Sequence, residues 1–547
     1  MPPPNRTPIA RKLPRPARRL LLWVVAPLLV LAACAMVFRH FYPQEAQAWT
    51  GAAMAQLLLR GVALRSGTGW AGDGIRPRET VLIPMRDGIR LATDVYLPGT
   101  QPPWPAILVR TPYSRGEGQI LGEFFCRYGY AMAVQDTRGR FDSEGEFYPF
   151  RTEREDGEDF ARWARPQPWC DGKLGAFGQS YLGYTQWAAA SGYPPLNAIT
   201  PTFIASDLYY GLYKGGAFGL RTYLEWSLMS DGRTGDWNGA KHIARGFAHF
   251  PLSESDDISL RDIGFYNDWV RHPTPDSYWR AMDATGGMEN ITTPAFLVAG
   301  WYDFMLDGQM RDFQLIRQHG SGPARRASKI LIGPWSHGFF NANLKNYGIE
   351  QRWLEEIPFD FVRETKDWLD FTLKGIDNGW AARPPVKAYV LGENRWRHAD
   401  EWPPRGAVDR AYYLHSGGSA QTLRGDGVLQ TEKPPGPQPE DTFLFDPHHP
   451  VPTRGGSHGD FQTVGPVDQR EIEARPDVLV YSSGVLQNSV LAMGQVRVQL
   501  YAASSAPDTD FTAKLVDVFP DGRALIVSEG ILRARYREGL AREVLMQ

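Results

Sequence analysis

Short apolar runs that do not alternate with polar residues recur along much of the chain. Five of them end in Gly, Pro or polar residues and are separated by helix-length segments: "AILVRTPY", "YAMAVQDTRG", "LGAFGQS", "AFLVAGWYD" and "ILIGPWSHG". Such runs are typical of parallel strands that are buried on both faces. The pattern therefore predicts an α/β core whose functional side chains follow the carboxyl ends of its strands.

Two further patterns precede and interrupt these runs. The stretch "TVLIPMRDGIRLATDVYLP" has two β-rich segments around Arg86-Asp87-Gly88, which predicts a hairpin. Residues 206–288, between the third run and the fourth, are rich in Tyr, Trp, Phe and Gly and have helical spacing. An insertion at the functional edge of a sheet commonly forms a lid. The alternative is a helical subdomain that takes no part in the site.

From about residue 383 the pattern becomes alternating. In "VRVQLYA" we expect Val496, Val498 and Leu500 to point inward, and "FTAKLVDVF" alternates in the same way. Alternating strands between Pro-rich loops predict an antiparallel sandwich or jelly roll. The whole pattern divides the chain into a basic N-terminus with an apolar segment (1–48), a juxtamembrane segment (49–77), an α/β core (78–205 and 289–382), a helical lid (206–288) and a C-terminal jelly-roll domain (383–547).

The N-terminal segment has the features of a membrane signal. Six basic residues precede an apolar run, 20–38, that is just long enough to span a bilayer core. Basic residues on that side predict a cytoplasmic N-terminus, so we expect the rest of the chain outside the inner membrane, in a bacterial cell envelope. Three fates are open: an uncleaved signal anchor, which we favour, lipidation at Cys34, and cleavage after Ala48.

Charge and composition remove several classes of partner. The net charge is −2, and residues 1–43 hold seven basic residues and no acid, so the remainder carries −9 and has no basic stripe for nucleic acid. No His/Cys/Asp cluster has the spacing of metal ligands, and we predict neither a metal nor an organic cofactor. Beyond the N-terminal segment only Cys126 and Cys170 occur, and two buried free thiols are favoured over a disulfide.

Ser180 stands in "GAFGQSYLGYTQ", between an apolar run and a helical run. This arrangement is similar to the nucleophile elbow G-x-S-x-G, although Leu182 occupies the fifth place and the second glycine, Gly183, comes one residue late. Small residues allow the sharp turn that such an elbow needs. The alternative for this motif alone is a serine in an ordinary turn.

Two possible partners of this serine follow later predicted strands. Asp303 ends "AFLVAGWYD" and His337 follows "ILIGPWS", in the chain order Ser, Asp, His of α/β-hydrolases. A serine hydroxyl needs a base to take its proton, and the base needs an acid to orient it. Each residue also has a plain structural interpretation, a helix N-cap for Asp303 and a packed loop histidine for His337. The three residues in this order at strand ends favour a catalytic triad.

The motifs together resemble the CocE/NonD hydrolase family. The similarity covers roughly residues 78 to 540 and is carried by "GQSYLGYTQ", "GWYD", "GPWSHG", "RTPY" and "QDTRGRFDSEG". That family writes its elbow as G-x-S-Y-x-G, which places Gly183 in register. Its jelly roll normally continues with several strands after a stretch like "GILRARYREGL", so a truncated β domain is one expectation for a chain that stops at Gln547.

The resemblance implies a role for each motif. It makes Ser180 the nucleophile, His337 the general base and Asp303 the carboxylate that orients it. The oxyanion hole would consist of the Tyr113 hydroxyl and the Tyr181 amide. Residues beside the triad are expected to line the substrate pocket: Trp301, Phe304, Met305 and Trp335. Asp136 and Arg138 are interpreted as a structural ion pair in a loop.

One departure from related enzymes concerns the substrate. The α-amino-acid ester hydrolases carry acids shortly after the triad Asp, which hold the substrate's ammonium group. Here Phe304, Met305 and Leu306 follow Asp303, although Asp207 could supply one carboxylate. We also expect no counterpart of the large N-terminal domain of the longer X-Pro dipeptidyl peptidases, which argues against strict exopeptidase action.

We therefore expect a serine hydrolase that cleaves an ester or amide with an apolar or aromatic acyl group, through an acyl-serine intermediate. Its partners would be a small ester, amide or short peptide and the inner membrane. The alternatives are an X-Pro dipeptidyl aminopeptidase and a membrane-anchored binding protein without catalysis.

Overall fold

The computed structural model describes residues 79–546 except 237, 339–341, 348–350 and 460–462. The predicted apolar segment 20–38, Cys34 and the juxtamembrane segment 49–77 lie outside the described residues. Within the part of the chain that is described, no helix is both long enough and apolar enough to cross a membrane.

The described strands form one large sheet and three small ones. The large sheet has ten strands in the order β1-β2-β4-β3-β5-β6-β9-β10-β11-β12, and the pairs β7-β8, β13-β14 and β15-β16 stand apart from it. In chain order the strands are β1 (Glu79–Pro84), β2 (Arg90–Tyr96), β3 (Trp104–Thr111), β4 (Ala131–Asp136), β5 (Cys170–Gln179), β6 (Ala198–Thr202), β7 (Tyr213–Lys214), β8 (Ala217–Phe218), β9 (Phe296–Gly300), β10 (Lys329–Gly333), β11 (Val386–Val390), β12 (Arg395–Ala399), β13 (Tyr413–His415), β14 (Val428–Gln430), β15 (Asp510–Val518) and β16 (Ala524–Arg533).

Helices cover the large sheet and form the insertion. They are α1 (Gln119–Arg127), α2 (Glu153–Ala164), α3 (Tyr181–Ala190), α4 (Tyr209–Leu212), α5 (Leu220–Ser230), α6 (Ile243–Phe247), α7 (Ser255–Ser259), α8 (Gly264–Arg271), α9 (Ser277–Ala281), α10 (Leu306–His319), α11 (Pro323–Ala327), α12 (Gln351–Lys374) and α13 (Arg470–Glu473).

The five apolar runs form the centre of the large sheet, as predicted. They are β3, β4, β5, β9 and β10, and the pairings β4-β3, β3-β5 and β9-β10 are all parallel. Every residue of β3, β4, β9 and β10 is buried, which explains why these strands do not alternate. The predicted hairpin is also present, because β1 and β2 pair antiparallel on either side of Arg86-Asp87-Gly88.

The sheet contains three strands that the pattern did not indicate. The strand β6 is short and polar, "AITPT", and lies parallel to β5. The strands β11 and β12 extend the sheet, with β11 parallel to β10 and β12 antiparallel to β11. The sheet therefore continues beyond residue 382, where the sequence analysis ended the core. The domain boundary itself stays a prediction.

The insertion consists mainly of short helices, α4 to α9, with the small hairpin β7-β8. Its aromatic residues form a buried cluster in which Trp226 contacts Phe265 and Trp269 at ring-centroid distances of 6.0 and 5.8 Å. Arg140 fixes one end of α5 to the core, because its guanidinium donates to the carbonyls of Ser230 and Pro112. The insertion is thus packed directly on the loop that follows β3.

The C-terminal region is β-rich, as predicted, and "FTAKLVDVF" lies in β15, which pairs with β16. The expectation for "VRVQLYA" was wrong. Val496, Val498 and Leu500 are 49%, 55% and 44% exposed and belong to no strand. Alternation buries a face only where a neighbouring strand completes the sheet, and none of the described strands pairs with this stretch.

Candidate active site

Ser180 lies in a sharp turn between β5 and α3. Its backbone has φ 55° and ψ −127°, a strained conformation that non-glycine residues rarely adopt. A Cβ atom at Gly178 would crowd Leu182, and a Cβ atom at Gly183 would overlap the Ile204 side chain. The late glycine therefore lets the first turn of α3 approach the chain that follows β6. The geometry is that of a nucleophile elbow.

The structure brings the three predicted triad residues together. The His337 Nε2 atom lies 2.9 Å from Ser180 Oγ, and His337 Nδ1 lies 2.9 Å from Asp303 Oδ1. Asp303 is fully buried, whereas Ser180 is half-buried. The hydroxyl, the imidazole and the carboxylate thus form one hydrogen-bonded chain at the carboxyl ends of β5, β9 and β10.

Asp303 and His337 are held by their surroundings. The Met305 backbone N–H donates to Asp303 Oδ1 at 3.0 Å, so this oxygen accepts hydrogen bonds from both the backbone and the imidazole. The Phe304 ring stacks on the imidazole, with centroids 4.3 Å apart and planes 26° apart. Together these contacts fix the position and the plane of the imidazole.

The two predicted oxyanion donors lie beside Ser180. The Tyr113 hydroxyl is within hydrogen-bonding reach of the Ser180 side chain, and burial raises the pKa of this hydroxyl above its usual value. The hydroxyl is therefore protonated at neutral pH and able to donate. Tyr181 is the first residue of α3, where a backbone N–H has no acceptor within its own helix.

A buried polar network that the sequence pattern does not indicate supports Tyr181. Its hydroxyl donates to Glu153 Oε1 at 2.7 Å and accepts from the Phe150 backbone N–H at 3.0 Å. Arg110 pairs with Glu153, and burial raises the pKa of the Glu153 carboxyl. Glu153 precedes Asp156 and Gly157 in an acidic helical stretch that looks solvent-exposed by composition. Only the packing of α2 beneath Tyr181 shows its role.

The four residues predicted to line the pocket lie in different places. Phe304 stacks on His337, and Met305 is buried beside the Tyr223 hydroxyl. The Trp301 indole instead donates to the Tyr389 carbonyl of β11. Trp335 packs against Trp396 of β12 and against Phe203. Phe304 and Met305 therefore contact triad residues, whereas Trp301 and Trp335 contact β11 and β12.

The interpretation of Asp136 and Arg138 as a pair was wrong. Asp136 accepts from the backbone N–H of Arg115 at 2.6 Å and pairs with its guanidinium. Arg138 instead bridges Asp156 and Asp87, at 2.6 and 2.7 Å. Both residues are structural, as expected, but they pair with different partners.

Asp207 and the two cysteines are the remaining candidates from the sequence. The Asp207 carboxylate is 3.9 Å from the Arg311 guanidinium, and burial raises its pKa to about 6. Cys126 and Cys170 are both buried and free, as predicted, and burial raises the pKa of the Cys126 thiol to about 12.

Sequence comparisons find known families and relatives that are similar to this chain. Residues 87–339 match the sequence model of the X-Pro dipeptidyl-peptidase (S15 family), and residues 378–544 match that of the X-Pro dipeptidyl-peptidase C-terminal non-catalytic domain. Cocaine esterase from Rhodococcus sp. is 37% identical over 503 residues, which cover 86% of this chain and 85% of that protein.

Two solved structures share the fold over most of the chain. An aminopeptidase from a marine sediment archaeon, Thaumarchaeota archaeon, has a TM-score of 0.70 at 24% identity, with 87% of this chain and 84% of that chain covered. An α-amino acid ester hydrolase has a TM-score of 0.68 at 24% identity, with the same coverage. At this identity the two structures support the fold alone.

Proposed function

The chain belongs to the CocE/NonD family of serine hydrolases, and from this premise we propose that Ser180, His337 and Asp303 catalyse its reaction. The protein is an enzyme that cleaves an ester or amide bond. The observation that carries the proposal is the hydrogen-bonded chain from Ser180 Oγ through the imidazole to Asp303, with 2.9 Å at each step.

The reaction proceeds in two halves. His337 takes the proton of the Ser180 hydroxyl while its oxygen attacks the carbonyl carbon of the substrate. The bond from that carbon to the leaving oxygen or nitrogen then breaks, and His337 gives its proton to the leaving group. A water molecule, deprotonated by the same imidazole, next attacks the acyl-Ser180 ester. The acid product leaves and Ser180 regains its proton.

Asp303 and the two tyrosines act on the charges that form in these steps. Asp303 accepts from Nδ1, so Nε2 faces Ser180 without a proton before attack, and the carboxylate stabilises the imidazolium afterwards. The Tyr113 hydroxyl and the Tyr181 N–H donate to the carbonyl oxygen as it becomes negative. Donors of this kind are effective because they are already oriented in the free enzyme.

The residues around the site favour an apolar acyl group without a free amine. Phe304 and Met305 follow Asp303, where related amino-acid ester hydrolases carry acids. Asp207 is a poor anchor for an ammonium group, since Arg311 lies beside it and its pKa is raised to about 6. The relative with 37% identity is a cocaine esterase, which fits an ester with a bulky acyl group.

A second candidate activity is that of an X-Pro dipeptidyl aminopeptidase. The match of residues 87–339 to the S15 family favours it. Such an enzyme must bind the free N-terminus of a peptide, and the apolar residues after Asp303 offer it no carboxylate. We therefore rank it below the ester or amide hydrolase, and the non-catalytic binding protein below both.

Active-site labelling tests the proposal. A fluorophosphonate probe should label the wild-type chain at Ser180, and Ser180→Ala should lose both the label and all hydrolysis above background. A panel of 4-nitrophenyl esters and anilides with acetyl, butyryl and benzoyl groups, together with Gly-Pro 4-nitroanilide, ranks the substrates. Folded protein that takes no label contradicts the triad. Preference for Gly-Pro 4-nitroanilide would select the dipeptidyl aminopeptidase instead.

We further propose that residues 20–38 anchor the enzyme in the inner membrane, with the hydrolase on the outer side. The basic residues before this apolar run support the orientation. Alkaline phosphatase, which folds only after export, should be active when fused after residue 77. Deletion of residues 1–48 should abolish that activity, and an active deletion would contradict the proposal.

A further inference from the structure

Trp226 connects the insertion to the candidate oxyanion hole. It lies in α5, and its indole Nε1–H donates to the Tyr113 hydroxyl oxygen at 2.9 Å. The two residues are 113 positions apart, so the contact exists only because the insertion packs on the loop after β3.

The chemistry of this hydrogen bond fixes the direction of the Tyr113 proton. An indole can only donate, whereas a phenol has one proton to donate and lone pairs that accept. The Trp226 N–H therefore occupies one side of the Tyr113 oxygen as a donor. The single phenolic proton must point away from Trp226, and the Ser180 side chain lies within its reach.

The same indole ring also contacts the second donor residue. The ring of Trp226 stacks on that of Tyr181, with centroids 6.2 Å apart and planes 11° apart. The rings of Tyr113 and Tyr181 meet edge-on at 6.4 Å. One side chain of the insertion thus touches both residues that are proposed to bind the oxyanion.

A buried arginine holds the helix of Trp226 in this position. The Arg140 guanidinium donates to the Pro112 carbonyl at 2.8 Å and to the Ser230 carbonyl at 2.6 Å. Pro112 directly precedes Tyr113, and Ser230 is the last residue of α5. Because Arg140 is almost completely buried, it joins the two elements within the protein interior rather than across a solvent-exposed surface.

We propose that Trp226 is a positioning residue of the hydrolase, which orients the Tyr113 hydroxyl as an oxyanion donor. The proposal rests on the proposed function of the Ser180 site. It gives the insertion a part in transition-state stabilisation. A residue that acts through Tyr113 should affect kcat more than KM, since the oxyanion forms only after the substrate has bound.

A double-mutant cycle with 4-nitrophenyl butyrate tests this. Tyr113→Phe should lower kcat by about 100-fold or more, as expected for a lost oxyanion donor. Trp226→Phe keeps an aromatic ring but removes the N–H. It should lower kcat about tenfold, which corresponds to the loss of one hydrogen bond, and leave KM within about twofold of the wild-type value. In the Tyr113→Phe background the same Trp226→Phe change should lower kcat by less than about twofold.

Trp269→Phe is the matched control. Trp269 belongs to the same aromatic cluster, but its buried indole N–H has no hydrogen-bond partner among the described residues. This variant should retain kcat within about twofold. Equal losses in Trp226→Phe and Trp269→Phe would show a general packing effect and overturn the proposal. Full additivity in the cycle would overturn it as well.

A second measurement does not depend on the folding of a Trp226 variant. In protein labelled with 15N-tryptophan, Tyr113→Phe should move one indole N–H resonance upfield, because its acceptor oxygen is gone. Unchanged indole resonances would contradict the hydrogen bond. If the wild-type chain neither hydrolyses the ester nor takes the fluorophosphonate label, the proposed function fails. If it does both but the cycle is additive, only the role of Trp226 fails.

Discussion

The centre of the large sheet and residues 483–502 of the C-terminal region both contain many apolar residues, yet they have opposite structures. In β3, β9 and β10 every residue is buried, and neighbouring strands pair along both edges. Residues 483–502 form neither helix nor strand, and Val485 and Tyr501 are 90% and 100% exposed. Apolar content alone therefore does not build a strand, because a strand also needs a neighbour to accept its hydrogen bonds.

The two regions also differ in their relation to the site. The triad and its supporting residues all come from the core and the insertion. The C-terminal region contacts the insertion, where the Arg533 N–H of β16 donates to the Gly215 carbonyl at 2.8 Å, and the core, where the Tyr302 hydroxyl donates to the Ile526 carbonyl at 3.3 Å. A side chain at Gly215 would collide with the backbone of Ile531. The proposed site thus belongs to the core and the insertion, and the C-terminal region packs against both.

Hydrogen exchange should show the largest difference between the two regions. Amides of β3, β9 and β10 should open only with global unfolding, whereas amides of residues 483–502 should exchange on the order of 1,000-fold faster or more. Mass spectrometry of peptides from the labelled native protein measures both. Equal protection in the two regions would show that residues 483–502 are paired in solution, and would remove the contrast.

Two glycine substitutions, one in each region, should differ by about 1–3 kcal/mol in their effect on the free energy of unfolding. Gly183→Ala should destabilise the protein by that amount, because the new methyl overlaps Ile204, which is almost fully buried. Gly484→Ala is the matched control, since no atom lies within 4 Å of its added Cβ, and it should change the unfolding free energy by less than about 0.5 kcal/mol.

Chemical denaturation measures both variants, and Gly183→Ala should also lower kcat since α3 carries the Tyr181 amide. In combination with Ile204→Ala, which removes the overlapping Cγ2 methyl, the Gly183→Ala change should cost less than it does in the wild type. A Gly183→Ala protein as stable as the wild type would show that the elbow tolerates a looser packing of α3.

The sequence predicted those parts of the molecule that depend on local pattern. Parallel strands buried on both faces leave unalternating apolar runs, and the five runs identified β3, β4, β5, β9 and β10. The strand β6 was missed because "AITPT" has few apolar residues, although all five are buried. The C-terminal β-rich class was predicted, but the pairing of "VRVQLYA" depends on a partner strand that alternation cannot reveal.

The residues of the site also differ in whether the local sequence pattern predicts them. Ser180, Asp303 and His337 each follow an apolar run, so their convergence was expected from the topology of the sheet. Trp226 and Glu153 were missed, because nothing in the local pattern distinguishes one tryptophan in an aromatic-rich insertion, or one glutamate in an acidic helix. Their contacts with Tyr113 and Tyr181 arise only when distant elements pack together.

Asp312 should make the stability of the core depend on pH. It is fully buried and accepts from the Ser206 N–H and hydroxyl at 2.6 and 2.7 Å, and burial raises its pKa to about 7. Between about pH 4 and pH 7 the folded state therefore keeps a proton that the unfolded state has lost. The contribution of Asp312 to stability falls as the pH rises through this window.

Urea unfolding between pH 4 and pH 8 tests the direction of this pH dependence. Asp312→Asn should make the fall of the unfolding free energy with rising pH less steep, by at most about 1.4 kcal/mol per pH unit. Asp521→Asn is the control in the C-terminal region, because Arg523 holds the pKa of the Asp521 carboxyl below its usual value, and so below the window. Wild-type and Asp312→Asn curves of equal slope would contradict the raised pKa.

The smallest effect is expected where apolar side chains are most exposed. Val485→Ser should change the unfolding free energy by less than about 0.5 kcal/mol, because the folded and unfolded states expose this side chain almost equally. Val298→Ser, in the fully buried β9, should cost about 2–4 kcal/mol through lost burial and a hydroxyl without a partner. Denaturant curves of the two variants compare the same chemical change in both regions. A loss of more than about 1 kcal/mol for Val485→Ser would mean that this valine is covered in solution.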